Sequence, residues 1–264
     1  MPTRDIIVVG GSAGSVGVLL QLAGDLPEDL PAAIFVVVHT SPEAPGILDQ
    51  ILGRRSRMPV DYASDGDAVR PGRILLAPPD CHLILDDGLV RLSRGPNENR
   101  SRPAIDPLFR SAAESYGRRV AGVVLSGVLD DGTFGLLSIK RRGGVAIVQD
   151  LDDAMFASMP RSALASVEVD HVVPAAEMAS LLTRLAADGR RGGARTSMEK
   201  RARRRPAETI AKHEDPVRDN SPAPSPIERG EIRAADVAAS GGSRRATQRE
   251  SSSGRRRSSS RSSR

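Results

Sequence analysis

The sequence predicts an α/β domain built on a mostly parallel, doubly wound sheet, with peripheral short strands and a disordered C-terminal tail. Two observations on the 264-residue chain support this fold class. Short, continuous apolar runs alternate with helical stretches, which is typical of a parallel sheet covered by helices on both faces. All six aromatic residues lie before residue 190, so only the front part has the side chains to build a core.

The predicted elements follow from local patterns along the chain. Runs rich in β-branched residues predict buried strands at 6–9, 34–38, 120–125 and 145–148. Apolar residues at helical spacing predict helices near 16–23, 45–52, 106–116, 133–141, 160–165 and 175–187. Shorter runs bounded by Asp-Gly and Pro-Gly signals predict peripheral strands or hairpins at 59–62, 74–77, 82–85 and 89–92.

Charge and composition divide the chain into a predicted folded domain, residues 1–189, and a predicted tail, residues 190–264. The tail has 20 basic and 9 acidic side chains, and its Arg/Ser run at 255–261 is of low complexity. Burial in such a segment cannot offset its chain entropy, so we expect disorder. Two functions stay open for it: a merely solvated tail, or an electrostatic arm for nucleic acid or an anionic surface. The lack of aromatic residues disfavours base stacking.

Composition also excludes several classes of protein. The single cysteine, Cys81, excludes an internal disulfide framework and a Cys-rich zinc site. No apolar run reaches the roughly 18 residues that a membrane-spanning helix needs, and the N-terminus lacks the apolar stretch of a signal peptide. We therefore expect a cytoplasmic protein, without membrane insertion, whose Cys81 is reduced.

The first predicted strand ends in a glycine-rich turn with Ser12 at its centre. Residues 10–14 fit the pattern G-x-S-x-G, which exposes a nucleophilic serine at the top of a sheet. The amides of the following helix would stabilise an oxyanion. A glycine-rich turn after the first strand can also bind a dinucleotide phosphate, although the spacing here does not give G-x-G-x-x-G. From the turn alone, both alternatives stay open.

Polar residues also follow two other predicted strands. His39 ends the second strand, and Asp130 and Asp131 follow the strand at 120–125. If the first two strands are adjacent, Ser12 and His39 meet, and imidazole can then activate the hydroxyl while an Asp orients the ring. The alternatives are a structural loop histidine and an Asp that caps the next helix. A metal site is disfavoured because no second ligand cluster accompanies these residues, and His82, His171 and His213 are interpreted as structural.

Six stretches in order resemble the catalytic domain of the CheB-type protein-glutamate methylesterases. They are residues 7–14 (IVVGGSAG), 38–40 (VHT), 76–82 (LAPPDCH), 99–109 (NRSRPAIDPLF), 125–132 (LSGVLDDG) and 159–161 (MPR). Together they extend over nearly the whole front part of the chain. The resemblance implies a Ser-His-Asp triad of Ser12, His39 and Asp131, oxyanion-binding amides at Ala13 and Val128, and Met159 near the substrate cleft.

The resemblance also implies a function. A protein of this family would hydrolyse glutamate γ-methyl esters on methyl-accepting chemoreceptor-like proteins, with no metal or organic cofactor, and some members also deamidate glutamine. The family's phosphorylatable receiver domain does not precede the first strand, so we expect control from a separate response regulator. Val128 and Leu129 replace the family's Met and Gly, which indicates a changed substrate or partner. The alternative function is a weakly or non-catalytic module that binds a signalling partner.

Overall fold

The computed structural model describes residues 3–187. The predicted tail at 190–264 and His213 lie outside the described residues, so the predicted boundary at 189 and the disorder of the tail stay predictions. Within residues 3–187, no helix is both long enough and apolar enough to cross a bilayer.

The described part contains nine strands and six helices. The strands are β1 (Ile6–Gly11), β2 (Ala33–Val38), β3 (Val60–Tyr62), β4 (Arg73–Leu76), β5 (His82–Asp86), β6 (Leu89–Ser93), β7 (Val120–Val124), β8 (Val145–Gln149) and β9 (His171–Val173). The helices are α1 (Ser15–Asp25), α2 (Leu48–Gly53), α3 (Ile105–Tyr116), α4 (Thr133–Arg141), α5 (Ser158–Ser166) and α6 (175–187). A short 3₁₀ turn, Gly117–Arg119, joins α3 to β7.

Seven strands form one parallel sheet in the order β3-β4-β2-β1-β7-β8-β9, and β5 and β6 form a separate antiparallel hairpin. The predicted fold class is therefore confirmed. The segment at 74–77, which we expected at the periphery, instead contributes β4 between β2 and β3 in the main sheet. Its Ile74, Leu75 and Leu76 are buried, so this short run serves as a core strand. The three-residue strand β9 was not predicted.

Alternate residues of the strands face two separate cores. Ile7 and Val9 of β1 pack in the core beneath α1, α2 and α6. Val8 packs in the opposite core, with apolar residues of α3, α4, α5 and the hairpin. Burying one such aliphatic side chain contributes about 1.5–3 kcal/mol to the free energy of folding. Because both faces of the strands are buried, nearly every strand position is apolar, and the sequence therefore shows continuous apolar runs.

The strand β1 lies where the strand order reverses. The chain runs from β1 to β2 on one side and later returns to β7 on the other side of β1. In open α/β sheets, sites form beyond the carboxyl ends of the strands at such a point. The residues that follow β1, β2 and β7 therefore converge on one crevice.

Candidate active site

Ser12 follows β1 and is held in a tight turn. Its amide donates to the carbonyl of Ser126 over 3.0 Å, and its carbonyl accepts the Ser15 hydroxyl over 2.7 Å. Gly14 closes the turn with φ +78, and a Cβ there would lie 2.7 Å from Ser126 Oγ and 2.8 Å from Met155 Cβ. Only glycine fits this conformation and this space, so the turn holds Ser12 at the carboxyl edge of the sheet.

His39 lies beside Ser12 because β1 and β2 are adjacent and parallel. The register pairs Gly11 with Val38, so the next residue of each strand lies at the same edge. Ser12 and His39 line a single cleft of about 340 Å³. The cleft walls are mainly apolar and include Val16, Val38, Ala44, Pro45, Ile47, Leu48, Ile51 and Tyr62. Within residues 3–187, the His39 ring is hydrogen-bonded to Asp131, and no hydrogen bond joins it to the Ser12 hydroxyl.

His39 is paired with Asp131 across the sheet. Nε2 of His39 lies 2.7 Å from Oδ2 of Asp131, and the two side chains are 18% and 1% exposed. An ionised carboxylate only accepts hydrogen bonds, so Nε2 carries the proton. In the neutral ring, Nδ1 is then the nitrogen with the free lone pair. The contact thereby fixes both the tautomer and the orientation of the ring.

Asp131 accepts hydrogen bonds on both carboxylate oxygens. The donors are His39 Nε2 and the Ile105 amide on Oδ2, and Asn99 Nδ2 and the amides of Asp106 and Gly132 on Oδ1. Burial raises the pKa of Asp131, but hydrogen bonds from His39, the Ile105 amide and Asn99 outweigh it, so the pKa lies below the ordinary value. The carboxylate therefore stays ionised in a buried place.

Asp131 does cap a helix, as the alternative interpretation of the sequence predicted, but the helix is not the one that follows it. Asp131 accepts hydrogen bonds from the amides of Ile105 and Asp106, which belong to the first turn of α3. The helix that follows Asp131 in the chain, α4, has Gly132 at its N-cap and no side-chain cap. Asp131 thus caps a helix distant in sequence while it contacts His39. Its neighbour Asp130 is exposed and lines a different, open cleft.

A second buried carboxylate, Asp106, lies next to Asp131, and sequence reasoning did not single it out. Asp106 is 3% exposed and accepts hydrogen bonds from the Gly135 amide, 2.7 Å, and from Asn99 Nδ2, 2.9 Å. Burial raises the pKa of Asp106 above its ordinary value, and the charge of Asp131 raises it further. The only sequence signal for Asn99 and Asp106 was their membership of the stretch at 99–109.

The loop after β7 lies against the serine. A Cβ on Gly127 would be 2.9 Å from Ser12 Cβ, so the loop backbone approaches the serine closely. Within residues 3–187, the amides of Ala13 and Val128 donate no hydrogen bond, and their predicted role as oxyanion donors stays a prediction. Leu129 adopts φ +70 and is 51% exposed. The left-handed conformation explains why glycine suits this position in the family pattern.

Met159 does not lie where we predicted it. We expected it to line the substrate cleft, but it is fully buried beneath Gly127, whose Cβ, if present, would overlap its sulfur. The Met159 amide donates to the Gly127 carbonyl over 3.0 Å. Met159 therefore supports the loop from below and has no surface that a substrate can reach.

The remaining predicted positions have structural contacts. His82 is buried, accepts the Ala104 amide on Nδ1 and contacts the Pro96 carbonyl through Nε2. His171 lies in the edge strand β9, and Cys81 is a buried free thiol. In the described range 3–187, no group of three or more His, Cys, Asp or Glu side chains could hold a metal ion.

Comparisons with known proteins identify one family. A family model described as CheB methylesterase matches residues 7–182. The chain is 40% identical over 181 residues to protein-glutamate methylesterase/protein-glutamine glutaminase 2 of Anaeromyxobacter dehalogenans, covering 69% of this chain and 53% of that protein. The chain thus spans about half the length of this relative. It is 36% identical to a putative protein of the same description from Leptospira interrogans, covering 69% of this chain and 94% of the relative.

A solved structure is similar as well. The crystal structure of the Thermotoga maritima CheB methylesterase catalytic domain superposes with a TM-score of 0.66 at 34% sequence identity, covering 69% of this chain and 98% of that one. The family match includes the turn of Ser12, the end of β2 and the loop of Asp131. The chain belongs to the CheB methylesterase family.

Proposed function

We propose that this protein is a serine hydrolase that removes methyl groups from glutamate γ-methyl esters on chemoreceptor-type signalling proteins, acting in the cytoplasm. Glutamine deamidation would follow from the same chemistry, with ammonia in place of methanol. The observation that carries the proposal is the 2.7 Å contact between Asp131 and His39, together with the position of His39 in the same cleft as Ser12. The names of the relatives supply the protein-glutamate ester and the protein glutamine as substrates, and the family resemblance supplies the chemoreceptor-type protein that carries them.

In the proposed reaction, the Ser12 hydroxyl attacks the ester carbonyl carbon and transfers its proton to Nδ1 of His39. Asp131, already hydrogen-bonded to Nε2, stabilises the imidazolium that forms. The carbonyl oxygen becomes an oxyanion, which the free amides of Ala13 and Val128 would bind. The tetrahedral intermediate collapses when the C–O bond to the methoxy group breaks and His39 returns the proton, which releases methanol.

The second half of the reaction regenerates the serine. A water molecule gives a proton to Nδ1 of His39 and attacks the glutamyl ester on Ser12. The new tetrahedral intermediate collapses, Ser12 Oγ recovers the proton from His39, and the glutamate carboxylic acid leaves and ionises.

The proposal is tested by active-site labelling and by turnover. A fluorophosphonate probe should label Ser12 of the wild-type protein at neutral pH, and a methylated chemoreceptor fragment should release methanol. Ser12→Ala should fold normally, resist labelling and lose roughly 10⁶-fold in kcat, since a triad does not function without its nucleophile. Ser41→Ala, an exposed serine near the same edge, is the matched control and should be labelled at Ser12 like the wild type. Unlabelled wild-type protein would instead favour a module that only binds a signalling partner.

A further inference from the structure

The side-chain amide of Asn99 bridges the two buried carboxylates. Its Nδ2 lies 2.6 Å from Asp131 Oδ1 and 2.9 Å from Asp106 Oδ2. An amide nitrogen has two N–H groups, so one group serves each carboxylate. The reverse orientation of the amide would point its oxygen at both acids, which is unfavourable. Asn99 therefore uses its full donor capacity at this place.

The amide of Asn99 lies between two buried carboxylates that repel each other. Asp106 and Asp131 are each at most 3% exposed, and their carboxylates are close enough that the charge of Asp131 raises the pKa of Asp106. Two buried like charges repel, and a shared donor between them offsets that repulsion. Asp106 is in turn fixed by the Gly135 amide over 2.7 Å. The Asn99 side chain thus connects the Asp106 carboxylate, which the Gly135 amide fixes, to the Asp131 carboxylate, which contacts His39.

The backbone conformation of the loop fixes the position of the Asn99 side chain. Asn99 and the next residue, Arg100, both adopt left-handed backbone conformations, with φ +48 and +64. Left-handed conformations are uncommon for residues other than glycine and persist only where the surroundings determine them. The buried ring of His82 anchors the loop by accepting a hydrogen bond from the Ala104 amide over 3.2 Å. Glu98 forms a partly exposed ion pair with Arg110 of α3 over 2.8 Å, and such surface pairs contribute little to stability.

We propose that Asn99 is a positioning residue for hydrolysis: by bridging Asp106 and Asp131, its amide holds the Asp131 carboxylate in the orientation that contacts His39. The inference rests on the proposed function, because it assigns a role to a partner of the proposed triad. Asn99 contacts Oδ1 of Asp131, whereas His39 contacts Oδ2, so Asn99 acts through that carboxylate. It therefore affects the rate of the chemical step and leaves substrate binding unchanged.

The test uses two substitutions of Asn99 and one matched control. Asn99→Gly deletes the amide and is compatible with φ +48, so it removes the bridge without adding backbone strain. Asn99→Asp keeps the size but replaces the donor with a third carboxylate. Glu98→Gln weakens the partly exposed ion pair with Arg110 in the same loop and leaves the Asp131 contacts intact. Thermal unfolding of all three proteins shows which of them are folded.

Two readouts separate positioning from simple loss of stability. Asn99→Gly should lower kcat about 10- to 100-fold with KM within about twofold, as expected when a charge-assisted hydrogen bond that orients a catalytic group is lost. Asn99→Asp should lower kcat at least as much. The downfield proton resonance of His39 Nε2–H, assigned by its absence in His39→Gln, should shift upfield or vanish in both variants. Glu98→Gln should retain wild-type kcat and the wild-type resonance.

The outcomes distinguish this inference from the proposed function. If the wild-type protein is neither labelled nor active, the hydrolase proposal itself fails. If the wild type is active and Asn99→Gly keeps its kcat and its His39 resonance, the positioning role of Asn99 is overturned and the hydrolase proposal stands. If Glu98→Gln loses as much kcat as Asn99→Gly, the loop acts only through its stability and the positioning role is likewise overturned. Should Asn99→Gly not fold, the same criteria apply to Asn99→Asp.

Discussion

Nε2 of His39 lies 2.7 Å from Oδ2 of Asp131, although 92 positions separate the two residues in the chain. The contact spans the central strand β1, because His39 follows β2 on one side and Asp131 follows β7 on the other. The same carboxylate caps α3 through the amides of Ile105 and Asp106. One side chain therefore connects the imidazole, a helix terminus and the loop that lies beside Ser12.

Replacement of Asp131 should affect both catalysis and folding. Asp131→Asn keeps the shape but supplies one acceptor oxygen where the carboxylate supplies two, so the imidazole loses its charged partner and buried donors are left unpaired. We expect kcat to fall by about 10³- to 10⁴-fold and the free energy of unfolding to fall by about 1–3 kcal/mol. Methanol release and urea unfolding measure the two effects. The neighbouring exposed substitution Asp130→Asn is the control, and equal losses in both variants would contradict the assignment of Asp131.

The two buried acids should give opposite dependences of stability on pH. The pKa of Asp131 is lowered by folding, so its contribution to stability is present above its unfolded value of about 3.9 and is lost as the pH falls through the folded value. Folding raises the pKa of Asp106. Its contribution to stability is therefore fully present below the unfolded pKa of about 3.9 and is lost as the pH rises through the folded pKa. Urea unfolding of wild type, Asp131→Asn and Asp106→Asn across this range measures both.

Each variant should therefore diverge from the wild type in its own pH window. The stability advantage of wild type over Asp131→Asn should shrink as the pH falls below about 4, while wild type should lose stability relative to Asp106→Asn as the pH rises above about 4. Parallel curves for all three proteins would show that neither carboxyl group has a pKa displaced by folding.

The loop conformation at Leu129 should carry a measurable cost in stability. Leu129 has φ +70 and an exposed side chain, so Leu129→Gly relieves backbone strain and gives up little buried surface. The strain of about 1–2 kcal/mol exceeds the extra chain entropy of glycine, about 0.5–1 kcal/mol. We expect a net stabilisation of up to about 1 kcal/mol in chemical denaturation. Leu129→Ala keeps the Cβ and is the control; if it stabilises the protein equally, side-chain exposure rather than backbone strain is the cause.

The fold was largely predictable because local patterns determine it. Uninterrupted β-branched runs such as 34–38 identify strands buried on both faces, and their alternation with helices implies parallel order. The same logic places Ser12 and His39 together, since both follow neighbouring strands. The segment at 74–77 was misplaced because its length and flanking turns resemble those of an edge strand, while its partners β2 and β3 are set by tertiary packing.

The inner part of the site was not predictable from local patterns. Asn99 and Asp131 are 32 positions apart, and their contact depends on a positive φ at Asn99 that no local signal requires. Capping rules consider the helix that follows an Asp, whereas Asp131 caps α3, which precedes it. Met159 was misassigned because proximity in a family pattern does not distinguish a residue beneath a loop from one on its surface.

The position of β1 between β2 and β7 also bears on how the protein folds. No two-stranded fragment of the sheet contains the serine, the imidazole and the carboxylate, because each group follows a different strand. During refolding, the distant chain segments at 12, 39 and 131 must all be brought together before the proposed hydrolysis is possible, and such long-range closure is slow. Hydrolytic activity would therefore return only after the centre of the sheet has assembled, later than the formation of individual helices.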